Sequence, residues 1–86
     1  MEIKRARVGR VLNKNRLIDL ECGKAATVAE LQNASYMKKR LMSIGIVEGT
    51  RIRPIYEGTA GSLRAYEFRG SVFAIRDEDA RHIIVE

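Results

Sequence analysis

The sequence predicts a mainly β domain with one inserted α-helix and one short helical turn. Short runs rich in β-branched and aromatic residues, at 51–56, 64–68, 72–76 and 82–85, are separated by glycine-bearing turns at close spacing, the pattern of short antiparallel strands. One segment, from Asn33 onward, instead repeats apolar residues at intervals of three and four, the period of an amphipathic helix. Pro54 interrupts a strand-like run, and because proline cannot donate to a ladder it needs an edge or a bulge. A small, sharply bent SH3-like β-barrel of about five strands supplies bulges and hides strand edges.

Taken in chain order, residues 1–16 alternate charge with isolated apolar residues and close on Asn13-Lys14-Asn15, a turn-like cluster. They read as a basic, loosely docked extension, with a short strand at 8–12 as the alternative. The domain proper is expected over 17–86. Its first strand is expected at 24–31, after a reversal at Gly23. Asn33 is placed to cap the helix, whose stripe of Ala34, Met37, Leu41 and Ile44 would face the core. Gly45 stops the helix. In the left-handed position it lets Ile46 fold back onto Leu41, the apolar contact of a Schellman closure. In Val47-Glu48-Gly49-Thr50, Gly49 stands where a turn wants a positive φ, and the strand at 51–56 follows. Residues 57–62 contain Gly58 and Gly61 and read as a loop. Tyr66 and Phe68 share one face of the next strand and are core candidates. Arg69-Gly70-Ser71 is expected to form a tight hairpin with a glycine-first two-residue loop. Asp77-Glu78-Asp79-Ala80 places acids at the positive end of a single helical turn, and the strand at 82–85 closes the sheet.

At 86 residues, 45% hydrophobic and 31% charged, the chain supports one domain with one small core, and not a catalytic domain with a separate substrate domain. No apolar run approaches the roughly 20 residues that cross a bilayer. The basic start lacks the continuous apolar stretch of a secretory signal, so a cytoplasmic location is expected. Cys22 is the only cysteine, so the core holds without an internal disulfide. The formal charge of +5 is concentrated in Lys4, Arg5, Arg7, Arg10, Lys14 and Arg16 against Glu2, and from Leu17 onward acids and bases balance. Phosphate binding draws its affinity from counterion release. A nucleic-acid or anionic-membrane function would therefore have to use the extension, and that is the alternative functional reading.

Catalytic and metal constellations are missing from the residue inventory. His82 and Cys22 each stand alone. Asp77, Glu78 and Asp79 are consecutive on a helical turn, where they spread around its axis instead of converging on one ion. Their expected role is with the helix dipole and solubility. Ser35, Ser43, Ser62 and Ser71 fall in caps, helix or turns, with a single histidine to serve as base for all of them. Residues 58–61 lack the Gly-Lys-Ser/Thr end and the following helix of a phosphate loop. Neither enzyme activity, nor a metal site, nor a cofactor is expected. What remains is binding. Tyr36, Lys39, Arg40 and Met42 fall off the core stripe and form an apolar patch with a basic rim, side-chain types enriched at interface centres. The competing reading of the same residues is a widened core stripe beside a solvated charged face. A second candidate surface is an exposed strand edge near Pro54. Leu41, Ile44, Gly45, Ile46, Gly49 and Gly70 are expected to be structural.

The segment Leu41-Met42-Ser43-Ile44-Gly45-Ile46-Val47-Glu48-Gly49-Thr50 is similar to the helix end of the FeoA family. There a leucine-rich helix ends in Leu-Gly-Leu or Leu-Gly-Ile, followed by a residue, Pro-Gly and a strand. Gly61-Ser62 resembles that family's Gly-Asp loop, and Phe68 through Arg76 looks like its strand, glycine and Ala-Leu-Arg run. Asp79 through Val85 is similar to its closing acid, Ala, two residues, Ile and Val. The resemblance runs over 17–86 and leaves the basic extension outside. Glu48 stands where the family usually has proline, Pro54 interrupts a strand that is usually continuous, and Cys22 replaces another frequent proline. The resemblance implies an SH3-like barrel with a helical insertion in a bacterial ferrous-iron uptake system. It also implies an accessory or regulatory role, exerted by binding the membrane GTPase transporter FeoB. Similar domains end iron-dependent repressors of the DtxR type, but residues 1–16 are too few for a DNA-reading helix pair, so that role is not expected.

Overall fold

The computed structural model describes residues 15–56 and 62–86. The basic segment 1–14, with its alternative strand at 8–12, and the loop at 57–61 with Gly58 and Gly61 lie outside the described residues. In order the elements are β1 (Asn15–Arg16), a 3-10 turn (Leu17–Asp19), β2 (Ala26–Leu31), α1 (Ser35–Ser43), β3 (Arg51–Tyr56), β4 (Leu63–Phe68), β5 (Ser71–Arg76), α2 (Asp77–Ala80) and β6 (Ile83–Val85). The strands form one antiparallel sheet in the order β1-β6-β2-β3-β4-β5. Asn15 pairs with Val85 and Arg16 with Ile84, so the described fold includes the last two residues of the expected extension. The sheet does not close on itself, and β1 and β5 are its edges.

Register shifts between Val28 and Glu30 in β2, and between Pro54 and Tyr56 in β3, mark the irregularities that bend such a sheet. The proline therefore sits at a bulge. The expected exposed edge near Pro54 is not there: β3 lies between β2 and β4, the Pro54 carbonyl accepts the Gly23 N–H at 2.7 Å, and Pro54 itself is buried.

The core gathers Leu17, Ile46, Ile52, Tyr66, Ile83 and Val85, all at 0% exposure, with Phe68 at 2%. Arg64 fastens the 3-10 turn onto this core. Its Nη1 donates to the Ile18 carbonyl at 3.0 Å and its Nη2 to the Leu20 carbonyl at 3.1 Å. The same guanidinium lies 5.8 Å from the centre of the Tyr66 ring. Burial pushes the Tyr66 phenol above its ordinary range, although the charge and hydrogen bond of Arg64 act the other way.

Two local expectations need correction. Phe68 pairs with Ser71, so the hairpin loop is Arg69-Gly70, with φ of 53° and 79°. Two successive positive φ values make a type I′ turn with the glycine second, which matches the right-handed twist of the strands. Asn33 does not cap α1. The helix starts after Ala34 with no side-chain cap, because the Asn33 Nδ2 donates instead to the Asp79 carbonyl at 3.0 Å.

Candidate functional site

Helix α1 ends in a closure that its sequence dictates. Gly45 has φ 106°, its N–H donates to the Met42 carbonyl at 3.1 Å, and the Ile46 N–H donates to the Leu41 carbonyl at 2.9 Å. Those two bonds are a Schellman motif, and they drive Ile46 into the core beside Leu41. The chain then turns through Gly49, φ 96°, with the Thr50 N–H donating to the Val47 carbonyl at 3.0 Å. Thr50 locks both turns together. Its Oγ1 accepts the Val47 N–H at 3.0 Å and donates to the Gly45 carbonyl at 2.9 Å, and the residue is 5% exposed. Sequence reasoning missed Thr50, although a hydroxyl three residues after Val47 can bond the turn's own backbone.

This closure fixes where α1 lies. At its start Asn33 bonds Asp79 in α2. At its end Gly45 is so close to the hairpin that an added Cβ would stand 3.1 Å from Arg69 Cδ. The helix therefore runs along β5, from its carboxyl end to its amino end. Contact with the core is made by Leu41, buried, and Met37, half-buried. Ala34 is exposed and Ile44 is 37% exposed, so the expected four-residue stripe is narrower and Ile44 is not a core residue. The reason is the closure itself, since Ile44 sits at the C-cap and Ile46 takes the buried place.

Between α1 and β5 lies a groove of about 510 Å³, lined on the helix side by Tyr36, Met37, Arg40 and Ile44, and on the strand side by Leu63, Phe73, Ala74 and Arg76, with Glu78 and Asp79 at one end. Tyr36 is 70% exposed. Phe73 stacks on Phe68, ring centroids 5.3 Å apart, and leaves its outer part open. Among the described residues the side-chain ion pairs, Lys24 with Glu21 and Arg53 with Glu67, lie elsewhere, so Arg40 borders the groove without an ion pair to any of them. Of the residues expected to bind a partner, Tyr36 and Arg40 line this groove. Lys39 and Met42 are exposed on the same helix outside the lining, and Pro54 is buried in the sheet. The strand wall of Leu63, Phe73 and Ala74 was not foreseen. A run without a charge or proline from Ser71 to Ile75 was visible, but its place at the sheet edge was not.

Among the described residues no group of three or more His, Cys, Asp or Glu side chains could hold a metal ion, and no helix is long and apolar enough to cross a membrane. The architecture defines a mostly β, SH3-like module with a groove flanked by its helix. The FeoA domain model matches residues 15–86, and the chain belongs to that family, which is associated with ferrous iron transport. Among solved structures, a FeoA-like protein from Clostridium acetobutylicum is 27% identical, covers 85% of each chain and superposes with a TM-score of 0.76. A FeoA from Stenotrophomonas maltophilia, complexed with zinc and described as a prokaryotic SH3 domain protein, is 24% identical over 84% of this chain and 89% of its own, TM-score 0.74. A manganese-dependent transcriptional repressor shares the fold at 22% identity and TM-score 0.77, with 85% of this chain matched to 41% of the repressor. Among curated proteins the sequence finds no match.

Proposed function

We propose that the chain is a non-catalytic accessory module of bacterial ferrous-iron uptake, acting in the cytoplasm by binding a FeoB-type membrane GTPase transporter through α1 and the groove beside it. The observation that carries this reading is the groove. Tyr36, Ile44, Leu63 and Phe73 gather partly or largely in water around one groove, beside Arg40, which has no ion pair among the described residues. Aromatic and arginine side chains are what interfaces enrich at their centres, and the groove sets them in a concavity of mixed polar and apolar lining. GTP chemistry then belongs to the transporter, and iron is the transporter's cargo. The S. maltophilia relative has been suggested as a ferrous iron transport activating factor, which agrees with a supporting role of this kind.

The test is calorimetric titration of the full chain against the transporter's cytoplasmic G-domain and against the intact transporter in detergent, at low and physiological salt. Saturable binding that changes little with salt is expected of an apolar interface. Affinity that collapses as salt rises would indicate phosphate or membrane binding by the basic segment. No binding to either form of the transporter would contradict the proposal.

A further inference from the structure

Side chains alternate across β3, so that Ile52 and Pro54 are buried while Arg51 and Arg53 are exposed. On β4 the residue paired with Arg53 is Glu67. The Arg53 Nε donates to Glu67 Oε1 at 3.0 Å and its Nη2 donates to the same oxygen, which makes this pair neutral. Two residues after Glu67, at the start of the hairpin turn, stands the exposed Arg69. Its stem passes over the closure of α1, where a Cβ on Gly45 would stand 3.1 Å from Arg69 Cδ, so the missing side chain at Gly45 leaves it room. Arg51 is steadied from β2, its Nη1 donating to Thr27 Oγ1 at 3.4 Å. A cavity of about 230 Å³ opens among these side chains. Arg51, Arg53, Arg69 and Glu67 line it, with Gly70 of the turn and the buried Ile52 and Phe68 beneath.

Three guanidinium groups therefore share one concavity with one carboxylate, and that carboxylate is already bonded to Arg53. Neither Arg51 nor Arg69 has an ion pair among the described residues. Like charges held around one space repel each other, a cost that an anion between them removes. The turn supplies further donors. Its ladder closes on Phe68 and Ser71, so the Arg69 and Gly70 N–H groups take no part in it, and successive N–H groups of a turn favour anions. We propose that this cavity binds a phosphoryl dianion, carried by free inorganic phosphate or by a lipid headgroup, between Arg51 and Arg69, with Arg53 held beside it by Glu67. Two unmatched positive charges fit a dianion, where a lone carboxylate would leave one of them unmatched. The guanidinium fork matches two phosphate oxygens at once. The space holds several water-sized groups, which is room for one phosphoryl group.

The site is independent of the transporter reading and is tested on the full chain alone. In NMR titration with inorganic phosphate at about pH 8, where the dianion dominates, the Arg51, Arg53, Arg69 and Gly70 amides should shift together and saturate at millimolar concentration. Acetate, a monoanion, should bind roughly tenfold more weakly at matched ionic strength. Arg51→Gln combined with Arg69→Gln keeps polar side chains at exposed positions. It should leave the circular dichroism unchanged and lower phosphate affinity roughly tenfold or more. Should that variant unfold, Arg51→Gln alone carries the test. Arg81→Gln removes an equal charge outside the cavity and should leave the affinity unchanged. Co-sedimentation with phosphatidylcholine vesicles containing phosphatidate, lost in the double variant, would assign the anion to a lipid headgroup. Saturation by inorganic phosphate without such co-sedimentation would assign it to the free ion. The proposal is overturned if neither probe gives a response that depends on the two arginines, if acetate binds as tightly as phosphate, or if the shifts are confined to residues 1–14.

Discussion

The two ends of helix α1's surroundings are built to opposite rules. At the closure, from Leu41 to Thr50, the Ile44, Gly45, Ile46, Val47 and Thr50 N–H groups find acceptors within the segment and the Gly49 N–H donates to the Val28 carbonyl; two glycines take positive φ, and Leu41, Ile46 and Thr50 are buried. Along the groove, Tyr36, Ile44 and Phe73 keep apolar surface in water, and Arg40 borders them without an ion pair among the described residues. Substitution at the closure should therefore be felt as stability. Substitution along the groove should be felt as binding.

The largest stability effect is expected at Leu41. Leu41→Ala removes a 4% exposed side chain from the core and should destabilise by about 2–5 kcal/mol, a large share of what so small a domain holds. Chemical denaturation should show a lower midpoint. Gly45→Val comes next, because a β-branched residue at φ 106° is strained and its Cβ would press on Arg69. A loss of about 1–3 kcal/mol in thermal melts is expected. Smaller and confined to alkaline solution is the effect of Tyr66. Burial raises its pKa in the fold, so between the unfolded and folded values the native state keeps a proton that the unfolded chain has released. Its contribution is therefore full below pH about 10 and lost as pH rises beyond. Tyr66→Phe should flatten the stability profile above that pH, measured by melts from neutral to strongly alkaline buffer.

Much of the closure was legible in the sequence because its determinants are local. Leu41, Gly45, Ile46 and Gly49 stand at fixed offsets whose backbone angles and contacts follow from spacing alone, and strands β3 and β4 were placed by their flanking glycines and by Tyr66 and Phe68. The groove was half legible. Tyr36 and Arg40 could be set off the helix stripe by counting in steps of three and four. Phe73 and Leu63 could not be set against them, because which strand forms the edge beside α1 depends on pairings between residues far apart in the chain. Pro54 failed as a surface residue for the same reason: its bulge is local, but the turn at Gly23 that covers it is thirty-one positions away. Ile44 was misplaced because the helical periodicity was carried onto the C-cap, where the helix has already ended and Ile46 takes the buried place.

Fold and recognition separate most directly when the helix face is emptied without touching the core. A variant with Tyr36→Ala, Arg40→Ala and Met42→Ala keeps good helix formers on α1 and removes none of the buried residues. Circular dichroism and thermal melts should then match wild type to within about 0.5 kcal/mol, the usual range for exposed positions. Calorimetric affinity of the same variant for the transporter's G-domain or the intact transporter should fall by roughly tenfold or more, as expected when an aromatic and an arginine are removed from an interface centre. A folded variant that retains wild-type affinity would contradict the account, and would remove α1 and its groove as the site of contact.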